Sequence, residues 1–272
     1  MREQEARWLW LSIPIAALGA VAAGGAIVFD SIYDRDTEHF GTQAVSQDWV
    51  TLLVAVPAIL ILGWYAARGS FPARLMWHGV AFYFAYTYTI AVFMLRFNAM
   101  FLIYTSLLAC SIFAVAGGLS ALNWASATRV RFGEEWPRRG TIVFLWFIVA
   151  TFLFLWLSDI VPALLDGTLP ESLSESETPT NGVQVLDLAL MLPTAGLTAV
   201  WLRQGDSKGY VFATGLITYV CLLGLALAAM VVGLTVADLS SDIAVAVAFA
   251  TVTVISAVLL SRMLRAMKGA HR

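Results

Sequence analysis

The sequence predicts an all-α membrane protein, a polytopic bundle of eight transmembrane helices with both termini on the cytoplasmic side. Three observations carry that prediction: the scarcity of charge, the recurrence of long apolar runs, and the uneven placement of basic residues. Charged residues make up 12% of the 272-residue chain and hydrophobic ones 60%. A soluble domain carries roughly 25% charge, so lipid replaces water as the solvent for much of the surface. The formal net charge of −2 hides a separation of sign along the chain.

Apolar stretches of about 20 residues recur eight times, each long enough to cross a hydrocarbon core of about 30 Å. They lie at 8–29, 49–67, 75–95, 100–122, 141–157, 184–202, 210–233 and 243–264. Runs of this length with interior Ala, Leu and Gly point to helices rather than strands. The first exceeds a signal-peptide core of about 7–15 residues, so it is expected to be retained as a helix.

Between these segments, basic residues alternate with near absence. Arg2, Arg7, Arg68, Arg74, Arg129, Arg131, Arg138, Arg139, Arg203, Lys208, Arg262, Arg265, Lys268 and Arg272 fall on one side, and only Arg35 and Arg96 on the other. By the positive-inside rule the first group faces the cytoplasm, which fits the cytoplasmic (plasma) membrane. The opposite side has two long acidic loops, 30–48 and 159–183, with Asp30, Asp34, Asp36, Glu38, Asp48, Asp166, Glu171, Glu175 and Glu177. Both are expected to be solvated surface. Without a long Lys/Arg run, nucleic acid is not an expected partner; the lipid bilayer is, together with a possible small-molecule solute.

A shift of 136 residues superposes the two halves of the chain without a gap. Trp10 then falls on Trp146, Asp30 on Asp166, Pro57 on Pro193, Gly69 on Gly205, Gly79 on Gly215, and Tyr83 on Tyr219. Four helices per half is an even number, so both halves would enter the membrane in the same sense. A duplication would therefore be a parallel 4+4 repeat, with halves 1–136 and 137–272 in one membrane domain. Evenly spaced helices aligning by default is the alternative.

Few residues can carry chemistry. Asp187 sits about a turn inside the sixth helix, and a carboxylate there is a functional candidate. Its simpler explanation is a favourable interaction with the helix N-terminus, ~0.3–1 kcal/mol. Pro193 in the same segment and Pro57 in the second are expected to kink their helices and free a carbonyl. The third segment carries FYFAYTYT at 82–89. Tyr83 and Tyr86 share a face there, and a buried phenol seeks a partner. That face lines either a solute site or an interhelical hydrogen-bond network. Arg96 closes the third helix against the charge bias, in the tight turn Arg96-Phe97-Asn98. It either snorkels to headgroups or pairs with Asp187 or Asp159.

Other chemistries are missing. A single membrane histidine, His78, cannot form a bis-His haem or metal site; no HExxH, Walker or GxGxxG pattern occurs, and no GxSxG lies within an expected helix. No cofactor is expected. Cys110 and Cys221 lie mid-helix and are expected to be packed thiols. Gly24-Gly25 and Gly117-Gly118 are expected to serve close helix packing.

The Phe97-Asn98 turn together with VLDLALMLP at 185–193 resembles prokaryotic multi-pass membrane proteins to which no activity is assigned. The resemblance covers the central third to half of the chain. It implies a membrane protein and carries over no functional residue. The residues favour a small-solute permease, with Asp187, Arg96, Tyr83, Tyr86, Asn98 and Asp159 as candidate substrate-binding residues and Pro57 and Pro193 as kinks. A structural or accessory membrane subunit is the alternative, and an intramembrane enzyme the third reading.

Overall fold

The computed structural model describes residues 7–122, 132, 133, 135–239 and 241–269. Arg2, Arg129, Arg131 and the His271-Arg272 tail fall outside them. All regular structure among the described residues is helical: α1 (Ser12–Val28), α2 (Glu38–Ala67), α3 (Phe71–Met94), α4 (Phe101–Ser120), α5 (Arg138–Asp166), the short α6 (Glu171–Ser176), α7 (Gly182–Gln204), α8 (Ser207–Val236) and α9 (Ile243–Gly269).

Seven of these helices are long and apolar enough to cross a membrane: α1 extended back to Arg7, α2, α4, α5, α7, α8 and α9. The remaining long helix, α3, has 24 residues and so about 36 Å of length. It falls short in apolar character because its tyrosines, threonines and His78 dilute the aliphatic residues. Those polar groups face protein: Trp77, His78, Tyr83, Tyr86, Thr87 and Tyr88 are all buried. Elsewhere large apolar side chains stand exposed around the bundle, among them Trp10, Phe93, Leu102, Phe154 and Val254. A soluble monomer does not show so much apolar surface, and lipid is its natural solvent.

The helices start and stop where their ends say they should. Ser70 caps α3 through Ala73 N–H, Asp206 caps α8 through Lys208 N–H, and Asn181 caps α7 through Val183 and Gln184 N–H. Gly69 (φ +93°) and Gly205 (φ +76°) take the left-handed conformation in the turns before α3 and α8, where a Cβ would be strained.

The prolines do not simply kink. Each follows a π turn, Thr51–Ala55 in α2 and Asp187–Met191 in α7. Val56 N–H reaches back five residues to the Thr51 carbonyl, and Leu192 N–H to the Asp187 carbonyl. The wide turn makes room for the proline ring against the preceding carbonyls, which a normal turn would not.

Packing centres on α3 and α8. They cross at Gly79 and Gly215, where a Cβ on Gly79 would run into the Gly215 carbonyl oxygen and lie 2.7 Å from Thr218 Cβ. Around this crossing, α4 and the C-terminal part of α2 pack on α3, while α9, α7 and the N-terminal part of α2 pack on α8. Gly117 lies under Trp8, Gly118 against His78 and Gly25 against Met100; Gly24 has open space beside it. Both cysteines are free thiols.

The acidic segments differ from the expected solvated loops. Thr37 caps α2 by accepting from Phe40 N–H, so residues 38–48 are helix, and Asp48 is buried. The stretch EHFGTQAVSQD is too polar to read as part of a span. It is helical because the Thr37 cap starts it and Ser46 packs against Gly233 of α8. Likewise α5 runs on past Pro162 to Asp166, and α6 occupies part of the second loop.

Candidate functional site

Between α2, α3, α5, α7, α8 and α9 lies a cavity of about 310 Å³. That is the lower end of the volume range for small-molecule sites, about 300–1,000 Å³. Two carboxylates line it, Asp48 and Asp187, together with Tyr33, Tyr86, Tyr88, Tyr104, Trp156 and Gln47.

Asp187 opens the π turn of α7, about 8 Å along the helix from its start, and only 4% of it is exposed. Tyr86 donates its hydroxyl to Oδ1 at 2.9 Å, and Trp156 its indole N–H to Oδ2 at 2.9 Å. The N-terminal dipole acts mainly over the first turn, so Asp187 is held chiefly by side-chain donors from α3 and α5. Asp48 lies three residues before the π turn of α2 and is 8% exposed. It accepts from the Tyr33 hydroxyl at 2.7 Å. Burial first, and then the Asp48 charge, push Tyr33 well above the usual phenol range, so it stays a donor. Neither carboxylate has a basic partner among the described residues.

The tyrosine face of α3 divides its work. Tyr86 and Tyr88 face the cavity. Tyr83 turns behind it to Thr51, the first residue of the other π turn, with 3.1 Å between hydroxyls. Gln47 donates to Thr87 at 2.9 Å and ties α2 to α3 beside the cavity. The hydroxyl of Tyr88 is buried and has no hydrogen-bond partner.

Arg96 pairs with neither residue considered for it. Its guanidinium meets Glu177 at 2.7 Å, and its backbone N–H donates to Asp36 at 2.9 Å. Asp187 is already served by Tyr86 and Trp156. Asp159 accepts from Ser172 Oγ, Gln184 Nε2 and Glu171 N–H, which pins α6 to α5 and α7. Burial raises the Asp36 carboxyl above its ordinary range, an effect opposed by Arg96. Asn98 accepts from Met100 N–H and shapes the turn into α4, and Arg35 donates to the Phe97 carbonyl. These contacts form a strap joining three connecting segments at one end of the bundle. Its ion pair is 49% and 61% exposed, so Arg96→Gln is expected to cost only ~0–1 kcal/mol. Thermal unfolding in detergent checks this; a loss of several kcal/mol would require a dry pair.

Of the residues singled out in the sequence, Asp187 and Tyr86 meet in the cavity. Tyr83 stands one layer behind, and Arg96, Asn98 and Asp159 organise its end. Pro57 and Pro193 follow the two π turns. Sequence reasoning missed Asp48, Tyr33, Tyr104 and Trp156. A usable signal existed for Asp48: like Asp187, it lies within ten residues before the mid-helix proline. No group of three His, Cys, Asp or Glu side chains suited to a metal occurs among the described residues. Comparison with models of protein families, with curated proteins and with solved structures gives no match for this chain.

Proposed function

We propose that the chain is a small-solute permease of the cytoplasmic membrane, in which all eight long helices cross the bilayer. The observation that carries this reading is the cavity. It holds two buried carboxylates, one on each of the two helices interrupted by a π turn and a proline. Broken helices and intramembrane acids are where transporters bind solutes and coupling ions.

We also read the bundle as two parallel four-helix repeats. The π turns at 51–55 and 187–191 are 136 residues apart, as are Pro57 and Pro193, the left-handed Gly69 and Gly205, and the starts of α3 and α8. Gly79 and Gly215 are equivalent under the same shift, and they meet each other. Equivalent residues meet one another where a two-fold axis between the halves passes. Asp187 is then the counterpart of Thr51, and Gln184 that of Asp48, so the repeats differ in where they hold their acid.

The test of function is uptake. Purified protein in liposomes should accumulate labelled small solutes above empty liposomes, and Asp187→Asn should reduce accumulation to background. Equal uptake with and without protein across the main solute classes would sink the permease reading. Orientation has a separate check. Asp34 and Thr168 are exposed at the acidic end and Gln204 at the basic end. Single cysteines at 34 and 168, in a chain without Cys110 and Cys221, should react with an impermeant thiol reagent in whole cells. A cysteine at 204 should react only after permeabilisation, and the reverse pattern would invert the topology.

A further inference from the structure

We propose that the cavity takes an organic cation, a protonated amine or a quaternary ammonium of a few carbon atoms. The proposal rests on the permease reading for its consequence but on the composition of the wall for its content. Asp48 and Asp187 line the cavity, whereas no lysine or arginine does among the described residues. His39 is the remaining lining group able to carry positive charge. An anion entering here would meet two carboxylates and no fixed cation. A neutral solute would bring no countercharge, so the buried carboxylates would stay uncompensated or take up protons, whereas a cation pairs with them.

Size and the rest of the wall separate an organic cation from a metal ion. About 310 Å³ is far more room than a bare ion fills. Much of the remaining surface is aromatic, with Tyr33, Tyr86, Tyr88, Tyr104 and Trp156 among the rings. Aromatic faces attract ammonium groups through their quadrupole, and more strongly where water is excluded. Hard inorganic cations instead need about six oxygen ligands at close range, more than two carboxylates supply. The donors already on Asp187, Tyr86 and Trp156, hold the carboxylate in place without neutralising it. Tyr88, like Tyr104, lines the cavity and has a hydroxyl without a hydrogen-bond partner in the structure. Both hydroxyls are buried, and buried hydroxyls are normally satisfied.

The experiment uses the full chain in nanodiscs. Choline, tetramethylammonium and butylammonium are compared with 3,3-dimethylbutanol (the neutral isostere of choline), with butyrate, and with sodium and potassium chloride at matched ionic strength. The readouts are thermal stabilisation and tryptophan fluorescence. At least one organic cation is expected to stabilise the wild-type protein and perturb its fluorescence, while the neutral isostere, the anion and the alkali salts do not. In Asp187→Asn and in Asp48→Asn its affinity should fall roughly ten- to a hundredfold.

Wild-type selectivity decides the matter even if a variant fails to fold. Binding of the isostere or of butyrate as tightly as choline would overturn the proposal, and so would binding of no organic cation at millimolar concentration. Liposome uptake separates the two readings. Organic cations that bind without being taken up leave this assignment standing and remove the permease. Uptake of a neutral or anionic solute does the opposite.

Discussion

Asp187→Ala is expected to lose both solute uptake and much of the stability around α7. Two buried donors, the Tyr86 hydroxyl and the Trp156 indole N–H, converge on its carboxylate. Removing the acceptor leaves each donor unsatisfied at a cost of ~1–3 kcal/mol. Relief of the desolvation cost of the carboxylate offsets part of this. Asp187→Asn is expected to behave differently. It keeps the size and one acceptor oxygen, so the protein should remain folded, yet uptake should still vanish because the charge is gone. The pair of variants thus separates architecture from charge, read by detergent thermal unfolding beside liposome uptake. Wild-type uptake by a folded Asp187→Asn protein would show that the charge has no part in solute handling.

Gly79→Val is expected to prevent assembly of the bundle. A single Cβ there already meets the backbone carbonyl of Gly215, and backbone cannot swing aside as the end of a long side chain can. Thr218 closes the other direction. Overpacking of a tight site typically costs ~1–3 kcal/mol, and here the added groups would force apart the two helices on which most others pack. The measure is the yield of monodisperse protein after extraction. Gly24→Ala is the control, since nothing lies within 4 Å of the position where its Cβ would stand. Its expected effect is neutral to stabilising by up to ~1 kcal/mol, from helix propensity alone. Equal behaviour of the two variants would mean that the α3–α8 crossing does not organise the fold.

Much of the helical framework was legible in the sequence because its causes are local. Apolar runs of span length mark the cores of α1, α4, α5, α7, α8 and α9, whereas the starts of α3, α7 and α8 at the Ser70, Asn181 and Asp206 caps lie a few residues before those runs. The tyrosine pattern of α3 correctly signalled a face turned to protein. Helix extent was less legible. Residues 38–48 are polar, and only the Thr37 cap together with packing on α8 makes them helical. The π turns were not foreseen, since a proline predicts disruption but not its form.

The site divides along the same line. Asp187 stood out because a charge within an apolar run has few bland explanations. Asp48 did not, because it borders a segment already rich in carboxylates. Asp36 and Asp48 are twelve residues apart and chemically identical, yet one belongs to the strap and the other to the cavity wall. Arg96 was drawn to the wrong acids, since charge alone cannot choose among several candidates at the same end of the bundle.

The sequence by itself determined that lipid is the solvent, where the chain is helical in its apolar parts, and where prolines and glycines interrupt it. Those outcomes follow from transfer free energy and backbone sterics, which act between residues close in the chain. Only the tertiary structure decided which carboxylates are buried and what holds them. Tyr86 reaches Asp187 across 101 residues of chain, and Gly79 meets Gly215 across 136. Contacts at that separation depend on how whole helices cross, and crossing is set by the shapes of two surfaces at once.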